Sequence, residues 1–114
     1  MQDSKDYIYE KVLMQLEKRR IFLDVDLTLA KFSKVVGTNT TYLSNIINQR
    51  FGCNFKTLLN RYRIGYAIEK MKEEGTGTVG NTERFGFKSK STFYDSFVKE
   101  TGTNPTLYLK KRKQ

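Results

Sequence analysis

The chain has 114 residues, 21 lysines and arginines against 12 aspartates and glutamates, a net charge of +9 and a pI near 9.7. That length suits one domain or two small subdomains, and the charge favours a polyanionic partner. With no histidine and one cysteine, Cys53, the sequence excludes an internal disulfide, a Cys/His zinc site and a Cys/His nucleophile. We therefore expect no catalytic residue, no metal and no cofactor.

From Tyr7 to Arg20 the apolar residues Ile8, Val12, Leu13 and Leu16 form one stripe among charges of both signs, which predicts an amphipathic helix packed on the first helix pair of the chain. Ile21, Phe22 and Leu23 read as a short extended connector running into the core. Thr28 is placed to cap a helix whose apolar positions Leu29, Phe32, Val35 and Val36 recur at helical spacing and stop at Gly37. Lacking a Cβ, Gly37 can take the left-handed conformation that ends one helix and turns the chain into the next.

Thr38, Asn39, Thr40 and Thr41 suit the start of that next helix, predicted over 39–50. With Leu43, Ile46 and Ile47 inward, a 3.6-residue period puts Thr41, Ser44, Asn45 and Asn48 on the opposite face. Those short, uncharged side chains can read base edges in a major groove, although a plain solvated helix surface has the same composition. After Phe51, Gly52 caps the helix, and Cys53 reads as a small apolar filler.

The longest predicted helix covers 55–74, with Phe55, Leu58, Leu59, Tyr62, Tyr66, Ala67 and Met71 at helical intervals. Arg61, Arg63, Lys70 and Lys72 are expected on its surface, and Gly65 weakens it by roughly 1 kcal/mol relative to alanine. Glu74 to Thr78 is a Gly/Thr-rich turn and the only linker-like stretch.

Phe93, Phe97 and Gly102 then repeat Leu43, Ile47 and Gly52 at a distance of fifty residues. A helix over 89–100 is thus a second copy of 39–50, with Phe85-Gly86-Phe87 as its turn. Pro105 can open a short last helix in which Leu107, Tyr108 and Leu109 pack back, and Lys110 to Lys113 form a basic tail. The expected fold is all-α: a unit over 1–54, a linker helix over 55–74 and a second unit over 75–114, about seven helices in all. No apolar run spans a bilayer and no secretory leader is evident, so we expect a soluble cytoplasmic protein with no membrane contact.

These residues together resemble the DNA-binding domain of the AraC/XylS family of bacterial transcription regulators, over roughly Asp26 to Lys110. The resemblance rests on Asp26-Leu27-Thr28-Leu29, on Gly37 followed by Tyr42-Leu43-Ser44, on Phe55 to Leu59, and on Arg63-Ile64 with Ala67. In the second half it rests on Gly86-Phe87-Lys88-Ser89-Lys90-Ser91-Thr92-Phe93, Phe97, Thr101-Gly102-Thr103-Asn104-Pro105 and Tyr108. Tyr42 to Ile47 and Arg63 to Ile68 are most similar to Bacteroidetes members.

The resemblance implies two helix-turn-helix units joined by one long helix, homeodomain-like in plan, whose second helices enter successive major grooves about one turn, ~34 Å, apart. Carried over as base-reading are Thr40, Thr41, Ser44 and Asn45 in the first unit. In the second they are Lys90, Ser91, Thr92, Tyr94 and Asp95. Independently, Asn45 suits bidentate pairing with adenine, the Thr41 methyl suits a thymine methyl, and Lys90 suits guanine O6 or N7. Ser91 and Thr92 are equally suited to helix capping, and Tyr94 to partial burial. Asn39, Arg61, Lys88 and Ser89 are expected at phosphates, beside the helix N-termini.

Further implied partners are RNA polymerase and a sensor or dimerisation domain of the same longer protein, with the isolated domain a monomer. Two departures stand out. Where the family has an apolar Ile-Ala pair in the first helix of its second unit, this chain has Asn81 and Thr82 after Gly80, which predicts a short or distorted segment over 79–85. Asp95 replaces a basic or amide side chain and repels phosphates. Hence the first unit is expected to carry more of the sequence reading. A helical protein-interaction module derived from this fold is the alternative.

Overall fold

Six α-helices dominate this computed structural model, which describes residues 4–75 and 80–113, with no strand among them. The helices are α1 (Ser4–Glu17), α2 (Leu29–Val36), α3 (Thr40–Phe51), α4 (Phe55–Glu74), α5 (Lys90–Thr101) and α6 (Pro105–Lys113). Ile21–Leu23 and Thr82–Phe85 are 3-10 turns. The chain divides into two units, Met1–Leu59 and Asn60–Gln114, with the boundary inside α4.

In the first unit local chemistry sets each helix end. Thr28 Oγ1 accepts from the Lys31 amide at 3.1 Å, which starts α2. Gly37 ends it at φ +82°, its N–H donating to Lys34 O while Thr38 N–H donates to Ser33 O. Asn39 Oδ1 then accepts from the Tyr42 amide at 2.8 Å and opens α3. Helix α1 packs on both α2 and α3, and these two pack on each other. Val12, Phe32, Val36, Leu43 and Ile47 are wholly buried between them, and the Phe55 ring meets Phe32 at 6.1 Å.

Two expectations fail here. Ile21 to Leu23 is a 3-10 turn and not an extended connector, preceded by Arg20 in the left-handed region. With no neighbouring strand to bond, its backbone closes on itself, Leu23 N–H to Arg20 O and Asp24 N–H to Ile21 O, and this puts Phe22 into the core. Val35, expected inward, is 46% exposed, because Phe32 and Val36 already fill the buried side of an eight-residue helix.

The second unit is built around rings. Ile64, Ala67 and Met71 of α4 pack with Phe85, Phe87, Phe93, Phe97 and Leu109. Phe93 lies at the centre, within 5.8 Å, centroid to centroid, of Phe85, Phe87, Tyr94 and Phe97. The segment that sequence marks as short is one 3-10 turn, Thr82–Phe85, closed by Gly86; Val79 and the expected Thr76 to Thr78 turn lie outside the described residues. Asn81 points to solvent and Thr82 is buried; among the described residues no buried side-chain nitrogen or oxygen lacks a hydrogen-bond partner. Arg84 ties this turn to the end of α4 with two parallel bonds to Glu74, at 3.0 and 2.9 Å.

Arg63 and Leu107 depart from the pattern. Arg63, expected on the surface of α4, is 9% exposed with its guanidinium 5.8 Å from the centre of the Phe87 ring. Its delocalised charge stacks on an aromatic face where an ammonium would keep its water. Leu107 is 46% exposed, since Tyr108 takes the contact with Phe97 at 5.5 Å and Leu109 takes the core position. The expected basic tail is continuous with α6, helical to Lys113.

Candidate nucleic-acid interface

Helix α3 has one buried side and one open side. Leu43, Ile46 and Ile47 are at most 1% exposed. Opposite them, Thr40, Thr41, Asn45 and Asn48 are exposed and Ser44 is half-buried, so the face carrying Thr41, Ser44 and Asn45 is open to solvent, as the sequence reading requires. Asn48 donates its Nδ2 to the Ser44 carbonyl at 2.9 Å. Asn48 is on this face without being among the expected base contacts, although the same period places it between Ser44 and Thr41. The cation of α3, Arg50, ion-pairs with Asp6 of α1 and lies 4.8 Å from the centre of the Tyr9 ring. What remains on the open face is uncharged.

Helix α5 repeats the plan fifty residues on. Asn39 and Ser89 are the N-caps, both helices have twelve residues, and Gly52 and Gly102 are the C-caps, both left-handed. The buried side is Phe93, Ser96 and Phe97. The repeat continues into the next pair of helices, where Asn54 accepts from the Thr57 amide and Asn104 from the Leu107 amide.

On the open side of α5, Lys90, Ser91, Tyr94 and Asp95 are exposed, with Val98 and Lys99 beside them. Of the two candidates for capping, Thr92 takes part: its amide donates to Ser89 Oγ at 3.1 Å and its hydroxyl accepts from Ser89 at 3.0 Å. Ser91 stays outside the cap and is exposed. Tyr94 is 36% exposed, with its ring edge-on to Phe93 at 5.7 Å. It is thus anchored at the ring and partly open to solvent.

The residues expected at phosphates divide by setting. Asn39 and Ser89 sit at helix N-termini with their side chains engaged in capping. Lys88 is exposed just before Ser89. Arg61, on α4, is half-exposed with its Nε 3.9 Å from Glu100 of α5. A pair that long contributes little.

Ionisation is perturbed away from this face. Hydrogen bonding from Arg84 holds the Glu74 carboxyl below its usual range, and the same bond raises Arg84. Lys31 is raised by its hydrogen bond to Asp24. Among the described residues no group of histidine, cysteine, aspartate and glutamate side chains is placed to hold a metal ion, and no helix is long and apolar enough to cross a membrane.

Comparison with known proteins agrees with this geometry. A family model described as "Helix-turn-helix domain" matches residues 32–111. Among solved structures, a Listeria innocua protein of unknown function superposes with a TM-score of 0.77 at 27% identity, over 90% of this chain and 95% of that one. No curated protein matches.

Proposed function

Because the chain belongs to the AraC-type helix-turn-helix family of DNA-binding domains, we propose that it reads specific double-stranded sequences as the DNA-binding part of a bacterial transcription regulator. The observation that carries this reading is the pair of twelve-residue helices, α3 and α5. Each is capped at both ends, buried along one apolar side and open along a polar one. A helix so mounted enters a major groove with base-reading groups outward.

In this reading Thr40, Thr41, Ser44 and Asn45 of α3 read bases, joined by Lys90, Ser91, Thr92, Tyr94 and Asp95 of α5. Asn39, Ser89, Lys88 and Arg61 flank them at phosphates and fix the register of each helix. Thr92 and Ser89 present one shared hydroxyl pair, since they are already bonded to each other. A sensor or dimerisation domain in the same protein, and RNA polymerase, are the partners a regulator needs beyond DNA.

Titration of labelled duplexes at several salt concentrations tests the proposal. Affinity for a cognate duplex should fall with a log-log slope of about −0.9 per neutralised phosphate, and random duplexes should bind more weakly at every salt concentration. A second reading, a helical module that binds a protein, draws on the shortened Thr82–Phe85 turn and on exposed Tyr94 and Val98. Salt-insensitive binding of a protein, with no preference among duplexes, would replace the first reading by the second.

A further inference from the structure

Position for position, the two open faces carry different chemistry. Where α3 has Thr40, Thr41, Ser44, Asn45, Asn48 and Gln49, α5 has Lys90, Ser91, Tyr94, Asp95, Val98 and Lys99. The first set is uncharged and holds three carboxamides. The second holds two ammonium groups, a carboxylate and two apolar or aromatic side chains. Neither set contains arginine, the side chain that most often reads guanine bidentately, and Arg50 is held by Asp6 and Tyr9.

Resting on the DNA reading proposed above, we infer that the two units select different base compositions: α3 selects A·T pairs and α5 selects a G·C pair. A carboxamide matches the adjacent N7 acceptor and N6 donor of adenine in one bidentate contact, and this is the chemistry of Asn45. Guanine offers N7 and O6, two acceptors, and leaves the amide oxygen facing another oxygen. Asn48 strengthens the bias. Its Nδ2 spends one N–H on Ser44 O, and its Oδ1 is an acceptor that adenine N6 satisfies. Cytosine N4 also satisfies that single oxygen, but it satisfies neither the bidentate contact of Asn45 nor a methyl contact from Thr41.

On α5 the charges decide. Lys90, in the first turn, donates to the two acceptors of guanine. The Asp95 carboxylate is repelled by phosphate oxygens, by thymine O4 and by purine N7, and it is accepted best by cytosine N4. A G·C pair presents the guanine acceptors and the cytosine donor together in one groove, and so offers a partner to each charge. An A·T pair also presents a donor, adenine N6, but that donor is flanked by the N7 and O4 acceptors, and N7 has no neighbouring O6 for Lys90.

Selection of duplexes from a random library by the full 114-residue chain, followed by titration of the enriched duplex, tests this assignment. The expected result is a block of A·T positions whose preference disappears in Asn45→Ala, and a G·C position whose preference disappears in Lys90→Ala or Asp95→Asn. Replacing one A·T pair of the first block by inosine·cytosine gives a guanine-like major groove and an A·T-like minor groove. That swap should weaken binding roughly 5- to 150-fold, the equivalent of one bidentate contact. Tolerance of the swap, which points to groove shape, or G·C pairs under the control of Asn45 overturns the inference and leaves the proposed function standing. Absence of any enriched sequence overturns both. Circular dichroism shows whether each variant keeps its helices, and Asn45→Ser replaces Asn45→Ala if it does not.

Discussion

Replacing Phe93 with leucine separates two explanations for the second unit, ring geometry and plain apolar volume. Phe93 is wholly buried and meets Phe85, Phe87, Tyr94 and Phe97 at 5.7, 5.4, 5.7 and 5.8 Å, mostly at steep interplanar angles. If volume alone mattered, a near-isosteric apolar swap would cost less than about 1.5 kcal/mol. Edge-to-face pairs add about 0.5–1.5 kcal/mol each beyond the area they bury. Three such pairs, with Phe87, Tyr94 and Phe97, share one ring and do not add independently, so we expect a loss of about 2–4 kcal/mol. A unit of this size is stable by only about 3–8 kcal/mol, at roughly 0.05–0.15 kcal/mol per residue, so the loss is a large fraction of the whole. Hydrogen exchange at the buried amides of α5 reads it directly, as protection lowered roughly 30- to 800-fold. Protection lowered less than about 13-fold, under about 1.5 kcal/mol, would show that the rings contribute no more than their volume.

Further predictions concern the ends of the helices and one ion pair. Arg84 depresses the Glu74 carboxyl, so that pair stabilises the fold above the unfolded carboxylate value of about 4.3 and stops doing so as pH falls through the lower folded value. Glu74→Gln should therefore lower Tm at pH 6, and its deficit relative to the parent should shrink as pH falls below about 4.3; a deficit unchanged with pH refutes the link. Gly37→Ala should cost about 1–2 kcal/mol in urea denaturation through its φ of +82° alone, since the added Cβ meets only Lys11 Nζ, at 3.8 Å. Gly65→Ala, inside α4 with open space around it, should instead gain up to about 1 kcal/mol. Asn39→Ala should cost about 1 kcal/mol by removing the cap on Tyr42 N–H, with the α3 amides showing the loss first.

How legible the molecule is from sequence depends on how far apart the deciding residues lie. Thr28, Gly37, Asn39, Gly52 and Pro105 act on backbone groups within a few positions, so their residue types announce helix ends, and α4 runs over the expected 55–74. The open face of α3 follows from the period of Leu43, Ile46 and Ile47. Arg63 is different: its burial depends on the Phe87 ring, twenty-four residues on, and a helical wheel cannot register that partner. The Arg61–Glu100 and Arg50–Asp6 pairs escape sequence reading for the same reason, and both bear on which cations remain available to phosphates. The Ile21–Leu23 turn misleads because three consecutive apolar residues suit a strand or a 3-10 turn equally, and only a pairing strand separates them.

The distribution of charge follows from the same contacts. A net charge of +9 would suit indiscriminate attraction to any polyanion, yet the open face of α3 is uncharged and the one arginine of that helix is drawn to α1. In the proposed reading, affinity and selectivity thus rest on different atoms in the first unit, with cations such as Lys88 and Arg61 supplying attraction from elsewhere. In the second unit Lys90 and Asp95 share one face, so attraction and selection use the same charges, and Asp95 offsets part of what Lys90 contributes wherever no cytosine amino group is present. On that reading, a repeat built on one backbone plan, with matching caps and matching buried positions, holds two different recognition strategies. Apart from Tyr94, whose ring is held against Phe93, the diverging positions are exposed side chains that the core constrains little, which is why they are free to differ between the two units.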